Sequence, residues 1–165
     1  MSDTLTNGNG QAPDVQMAGA PGAQIQVLAQ YVKDLSFENP AAPLSLQGQK
    51  PALDVGVDVQ ARGLGVDQYE VTVRIRADAK SANQTVFVCE VTYAGVFMLK
   101  NITPENIQPV LLIECPRQLF PFARRVVADL TRDGGFPPLL LDPIDFMTLY
   151  RAQLAQQKAQ PTATA

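Results

Sequence analysis

LDVGVDVQARGLGVDQYEVTVRIRAD, Leu53 to Asp78, alternates apolar and polar residues twice over. Leu53, Val55, Val57 and Val59, then Tyr69, Val71, Val73 and Ile75, point one way, while Asp54, Asp58, Glu70, Arg74 and Arg76 point the other. A period of two is that of a half-buried strand, so the stretch reads as two strands joined around GLGVD. Upstream, Ile25, Val27, Ala29, Tyr31, Leu35 and Phe37 occupy odd positions, broken only by Lys33, with Gln26, Gln30, Asp34, Ser36 and Glu38 between them. That predicts another strand. The ENPAAPLSLQGQKP that separates it from the hairpin carries three prolines and is too long for a simple turn, so it reads as a crossover loop.

Downstream, TVFVCEVTYAGVFML is apolar on its odd face (Phe87, Cys89, Val91, Tyr93) and its even face (Val86, Val88, Val96, Met98), so something must touch both sides. Thr103, Pro104 and Glu105 then open a helix running to about Cys115, where Pro116 should interrupt or kink it. A second helical segment with Leu119, Val126 and Leu130 at helical spacing stops at Gly134 and Gly135. A last helix, capped by Asp142 and begun at Pro143, would bury Phe146, Met147, Tyr150 and Leu154. The fold class is α+β: a four-stranded antiparallel sheet followed by helices packed on one face, the odd-numbered one.

With 165 residues and 46% hydrophobic content the chain supports one domain, expected over residues 24–155. Residues 1–23 and 156–165 are polar and of low complexity and read as disordered tails; the first shows neither signal peptide nor membrane anchor, so a cytoplasmic protein is expected. A net charge of −3 gives no footprint for phosphate backbones, so nucleic acid is not an expected partner.

Histidine is absent, which removes the usual general base and leaves Cys89 and Cys115 with no imidazole to activate them. The GLG at Gly63 to Gly65 lacks the third glycine of a dinucleotide loop, no phosphate-binding GxxxxGK[ST] occurs, and Asp54 and Asp58 read as a solvated strand face. No catalytic, cofactor or metal site is expected. A protein that works by surface contact is the stronger reading than an enzyme, with a carrier of small hydrophobic ligands as its rival.

GGFPPLLLDPIDF, Gly134 to Phe146, sets six large apolar side chains among three prolines that forbid a long helix or a central strand. Leaving four of them wet would forgo about 6 to 12 kcal/mol, so the core or a partner must cover them.

Three segments, YVKDLSFENP, VFVCEV and ECPRQLFPFARRVVADLTRDGGFPPLLLDPIDF, resemble the SecB family of bacterial export chaperones, over roughly Gln24 to Leu154. The resemblance implies a four-stranded antiparallel sheet with helices on one side, assembled as a homotetrameric dimer of dimers. It further implies ATP-independent holding of unfolded precursor proteins, without cofactor or membrane insertion, and handover to SecA, the motor ATPase of the translocon. Carried over position by position, Asp34, Glu38, Val88 and Glu90 would contact SecA, and all four are even-numbered, on the outer face. Cys89, Val91 and Tyr93 would lie at the contact between dimers.

The proline-rich stretch would wall a client groove. Phe136, Leu139 and Leu141 are the expected client contacts, facing Leu44 and Leu46 of the crossover loop, while Leu140, Ile144 and Phe146 anchor the wall in the core. Many family members carry an aromatic ring in that loop; this one does not. A toxin–antitoxin chaperone on the same fold is a further alternative.

Overall fold

A computed structural model describes residues 21–159. Four strands, β1 (Gln24–Glu38), β2 (Ala52–Gly65), β3 (Gln68–Ser81) and β4 (Gln84–Lys100), form one antiparallel sheet in the order β1-β4-β3-β2. β1 and β2 are consecutive in sequence and lie at opposite edges, so the loop between them must cross the sheet end, as its length and prolines predict. Its one regular turn is a 3-10 segment at Leu44–Gln47. The β2–β3 hairpin pairs Val57 with Ile75 and Val59 with Val73, so apolar residues stand opposite apolar ones, as the alternation of each strand allows.

A single helical rod follows the sheet: α1 (Pro104–Pro109), a π-helical turn at Val110–Glu114, and α2 (Cys115–Asp133). Of the interruption or kink expected at Pro116, the interruption does not occur: the helix passes through a π turn instead. Pro116 has no N–H to give the carbonyl one turn back, and the wider π turn just ahead of it accommodates the ring and the missing bond without ending the helix.

The core lies between this rod and the odd face of β3 and β4, where Val71, Val73, Ile75, Val91 and Phe97 reach zero exposure together with Leu119, Ala123 and Val127 of α2. Each such side chain contributes about 1.5 to 3 kcal/mol by leaving water. The rod sits so close to β4 that a Cβ on Gly95 would stand 2.7 Å from Leu119 Cδ2.

Two further expectations change. β1 does not alternate uniformly: its pairing with β4 slips between Val27 and Ala29 and again between Val32 and Asp34. These bulges turn Ala29 and Tyr31 to the outer face, opposite Val96 and Ala94, and bring Val32 to the helix side, opposite Tyr93. Past the second bulge Leu35 and Phe37 regain the helix side.

The last helix, α3 (Phe146–Ala159), starts three residues later than expected, and Asp145 rather than Asp142 caps it. Asp145 Oδ1 accepts the Thr148 N–H at 3.2 Å and Oδ2 accepts the Thr148 hydroxyl at 2.7 Å. α3 continues to Ala159, past residue 155; of the tails expected over 1–23 and 156–165, residues 1–20 and 160–165 lie outside the described residues.

Candidate functional site

The end of α2 shapes one side of an apolar cleft. Gly134 N–H donates to Leu130 O (2.8 Å), Gly135 N–H to Arg132 O (3.0 Å) and Phe136 N–H to Thr131 O (3.0 Å), with Gly135 at φ +91°. This glycine-dependent cap reverses the chain and aims Phe136 back over the sheet. There Phe136 meets Phe87 with ring centroids 4.8 Å apart and Phe37 at 6.3 Å, while Phe37 and Phe87 stack at 5.6 Å. Gly134 has to be glycine on steric grounds as well, because a Cβ there would overlap the Phe37 ring.

Over this aromatic floor lies a cleft of about 610 Å³, lined by Leu46, Leu53, Phe87, Phe136, Leu139 and Leu140, with Lys50 and Pro51 on the crossover side. Leu46, Phe136 and Leu139, expected at a client groove, all line this cleft. Leu44 does not: it is 76% exposed and opens on a separate cavity with Pro40, Ala82 and Val86. The 3-10 turn sends residues two apart in different directions.

Leu140 and Leu141 exchange their expected positions. Leu141 is buried in the core cluster at 7% exposure, so it is no client contact, whereas Leu140, expected as an anchor, is 68% exposed and lines the cleft. In an extended chain successive side chains alternate. Prolines 137 and 138 hold this segment extended, a signal already legible in the sequence.

On the face away from the helices, Glu38 pairs with Val88, Ser36 with Glu90 and Asp34 with Thr92, so Asp34, Glu38, Val88 and Glu90 share one patch of adjoining strands. Glu90 is not a free acid. Arg74 donates to its Oε1 through Nη2 at 2.6 Å and Nε at 3.1 Å, and Arg76 Nη1 donates to Oε2 at 3.2 Å while its other nitrogens fork onto Asp78 at 2.8 and 3.0 Å. These guanidinium bonds, Arg74 first, hold the Glu90 carboxyl below the usual range. Sequence reasoning missed the arginines; the β3–β4 register, Arg76 opposite Glu90, is the signal that reveals them.

A second carboxylate on this face is almost fully covered. Glu70 accepts from Lys33 Nζ, from the Tyr31 hydroxyl at 2.6 Å and from Arg62 Nε, which together hold its carboxyl down to about 2. Tyr31 and Lys33 reach it across β4, over Ala94, whose small side chain is fully buried beneath the bridge.

Cys89, Val91 and Tyr93, expected at a contact between dimers, lie under the helices in the chain's own core at 1%, 0% and 9% exposure. Cys89 and Val91 therefore have no surface to offer a second copy. Tyr93 stacks on Phe122 at 6.1 Å and donates its hydroxyl to Gln30 Oε1 at 3.3 Å. Burial pushes the Cys89 thiol up to about 11 and Cys115 to about 12, so both stay protonated at neutral pH. Among the described residues no three acidic or thiol side chains gather as metal ligands would, and no helix is long and apolar enough to cross a membrane.

A sheet backed by one helical rod, with an open apolar cleft at its end and a charged patch on its bare face, defines a binding protein that works through its surfaces. The chain belongs to the SecB family: the family model described as Preprotein translocase subunit SecB matches residues 18–157. It is 53% identical to the protein-export protein SecB of Rhodopseudomonas palustris (strain TIE-1), over 96% of this chain and all of that one. With the SecB of Maricaulis maris (strain MCS10) it shares 57% identity over 86% of this chain and 84% of the relative. Its fold matches that of a SecB-like chaperone of Mycobacterium tuberculosis solved with an antitoxin peptide, at TM-score 0.62 and 20% identity, over 73% of this chain and 90% of that one. Family membership makes the chain a protein-export chaperone.

Proposed function

We propose that the chain holds unfolded precursor proteins in the cytoplasm without ATP, takes their apolar segments into the cleft between Leu46 and Leu140, and passes them to SecA. The observation that carries this reading is Leu140 itself: a leucine 68% exposed on a wall that its prolines keep from folding inward. Binding only the non-native chain delays its folding by mass action and needs no reactive group. A carrier of small ligands would be better served by a sealed cavity than by a cleft whose lining includes a leucine 68% exposed.

The patch of Asp34, Glu38, Val88 and Glu90 is the proposed docking surface for SecA, on the face that the helices leave free. For the homotetramer, the surface offered to a second copy is the apolar ledge of Val32 and Leu35, each 44% exposed on the edge strand, beside Phe122 at 47%. The test of the central claim is a refolding assay. The purified protein should arrest refolding of a slow-folding precursor with no nucleotide present, and Leu140→Gln should weaken that arrest while leaving the melting temperature nearly unchanged. Undiminished arrest by Leu140→Gln would place the clients elsewhere.

A further inference from the structure

We propose that Thr131 is the positioning residue of the cleft wall, a role that rests on the reading of the cleft as the client site. Thr131 sits in the last turn of α2 with no exposed surface. Its hydroxyl donates to the carbonyls of Val127 (3.0 Å) and Ala128 (3.1 Å), as threonines inside helices do. That leaves the oxygen's lone pairs, and one of them accepts the N–H of Leu139 at 2.9 Å. The Thr131 carbonyl accepts the N–H of Phe136 at 3.0 Å.

Between Phe136 and Leu139 stand only Pro137 and Pro138, which have no N–H. Every backbone donor of this four-residue stretch is therefore taken by one residue, Phe136 by its carbonyl and Leu139 by its hydroxyl. The first bond belongs to the helix cap and would exist with almost any side chain at position 131. The second exists only because the side chain carries a hydroxyl. It fixes where Leu139 sits, and the alternation that follows sends Leu140 into the cleft and Leu141 into the core. Between Phe136, packed on Phe87, and Leu141, buried in the core, this side-chain bond is what ties the backbone at Leu139 to α2.

Thr131→Val, equal in shape and lacking the hydroxyl, isolates the effect, and Thr131→Ser restores the hydroxyl without the methyl. Amide hydrogen exchange reads the wall, and affinity for reduced, carboxamidomethylated α-lactalbumin, a chain that stays unfolded, reads the client site; Leu140→Gln is the control for the cleft. Thr131→Val should speed exchange at Leu139 and weaken the unfolded chain's binding by roughly five- to tenfold, the worth of one ordinary hydrogen bond, with exchange of Ala123 to Val127 unchanged and both effects reversed by Thr131→Ser.

Unaltered exchange at Leu139, equal acceleration along the whole of α2, or identical behaviour of the valine and serine variants would each overturn the assignment. If Leu140→Gln weakens client binding and Thr131→Val does not, Thr131 has no positioning role and the cleft reading stands. If Leu139 exchange rises while neither variant alters binding, Thr131 holds the wall as assigned and the cleft is not the client site.

Discussion

Lys33 Nζ donates to both oxygens of Glu70, at 2.8 and 3.1 Å, across the intervening strand β4. Lys33 is the extra residue of the second β1 bulge, so the ion pair ties the point where the edge strand changes parity to the middle of the sheet. The Glu70 carboxyl titrates near 2 in the fold and at 4.5 without its partners, so it is ionised in the fold where the free group would already be protonated. Its contribution is complete above the unfolded value, declines as pH falls between those two values, and is gone below the lower one.

Glu70→Gln should thus cost about 2 kcal/mol at neutral pH, less than the full shift implies because Lys33 and Arg62 are open to screening water. Urea unfolding of both proteins at about pH 7 and about pH 3.5 checks this, since the gap between them should narrow on acidification. A gap independent of pH would mean that Glu70 packs and does not pair.

Leu141→Gln should lower stability by about 2 to 5 kcal/mol, because it buries an amide without partners in the core cluster. Thermal melts of Leu141→Gln beside Leu140→Gln would separate the two leucines; equal melting of both would contradict their opposite exposures.

If SecA docks on this patch as proposed, and meets its carboxylates with basic side chains, the arginines on Glu90 set two opposite outcomes. Glu90→Lys faces Arg74 and Arg76 with a like charge and should weaken SecA binding, most at low salt. Arg76→Gln releases one carboxylate oxygen and should tighten it by roughly two- to fivefold, on the scale of one exposed ion pair. Titrations of SecA at two salt concentrations decide this, and weaker binding by Arg76→Gln would mean that the arginine itself meets the partner.

Val91→Asp should unfold the domain rather than halve its native mass, because residue 91 is sealed in the single chain's core. Val32→Asp, on the exposed ledge, should instead shift native mass toward smaller assemblies with little change in melting. Native mass spectrometry together with calorimetry distinguishes them.

Both thiols should resist iodoacetamide in the native protein at about pH 8 and react promptly in denaturant, since the thiolate is the reacting species and burial suppresses it. Rapid labelling of native Cys89 would show that α2 opens readily from the sheet.

Much of this was legible in the sequence. Alternation placed β2 and β3 and the faces of their side chains, the two-faced apolarity of β4 required cover on both sides, and the length and prolines of the loop after Glu38 required a crossover. Local pattern failed where tertiary partners override it. Tyr31 reads as core until a bulge and the Glu70 carboxylate draw it outward, and Pro116 reads as a break until the π turn makes room. Asp142 and Asp145 both precede apolar helical spacing, and only the bonds from Thr148 choose between them. Glu90 reads as a bare acid because its partners lie 14 and 16 residues away on the next strand.

The strand order has a consequence during synthesis. Among the described residues β1 is the first strand made and pairs with β4, the last, so Gln24 waits for Lys100 and Glu38 for Val88. Until then the ribosome has released a segment carrying Leu28, Tyr31, Val32 and Leu35 with nothing to pair with, and the aromatic floor is incomplete because Phe136 has not yet been made. A newly made copy of this chaperone thus spends its first moments as the kind of chain that its finished copies bind.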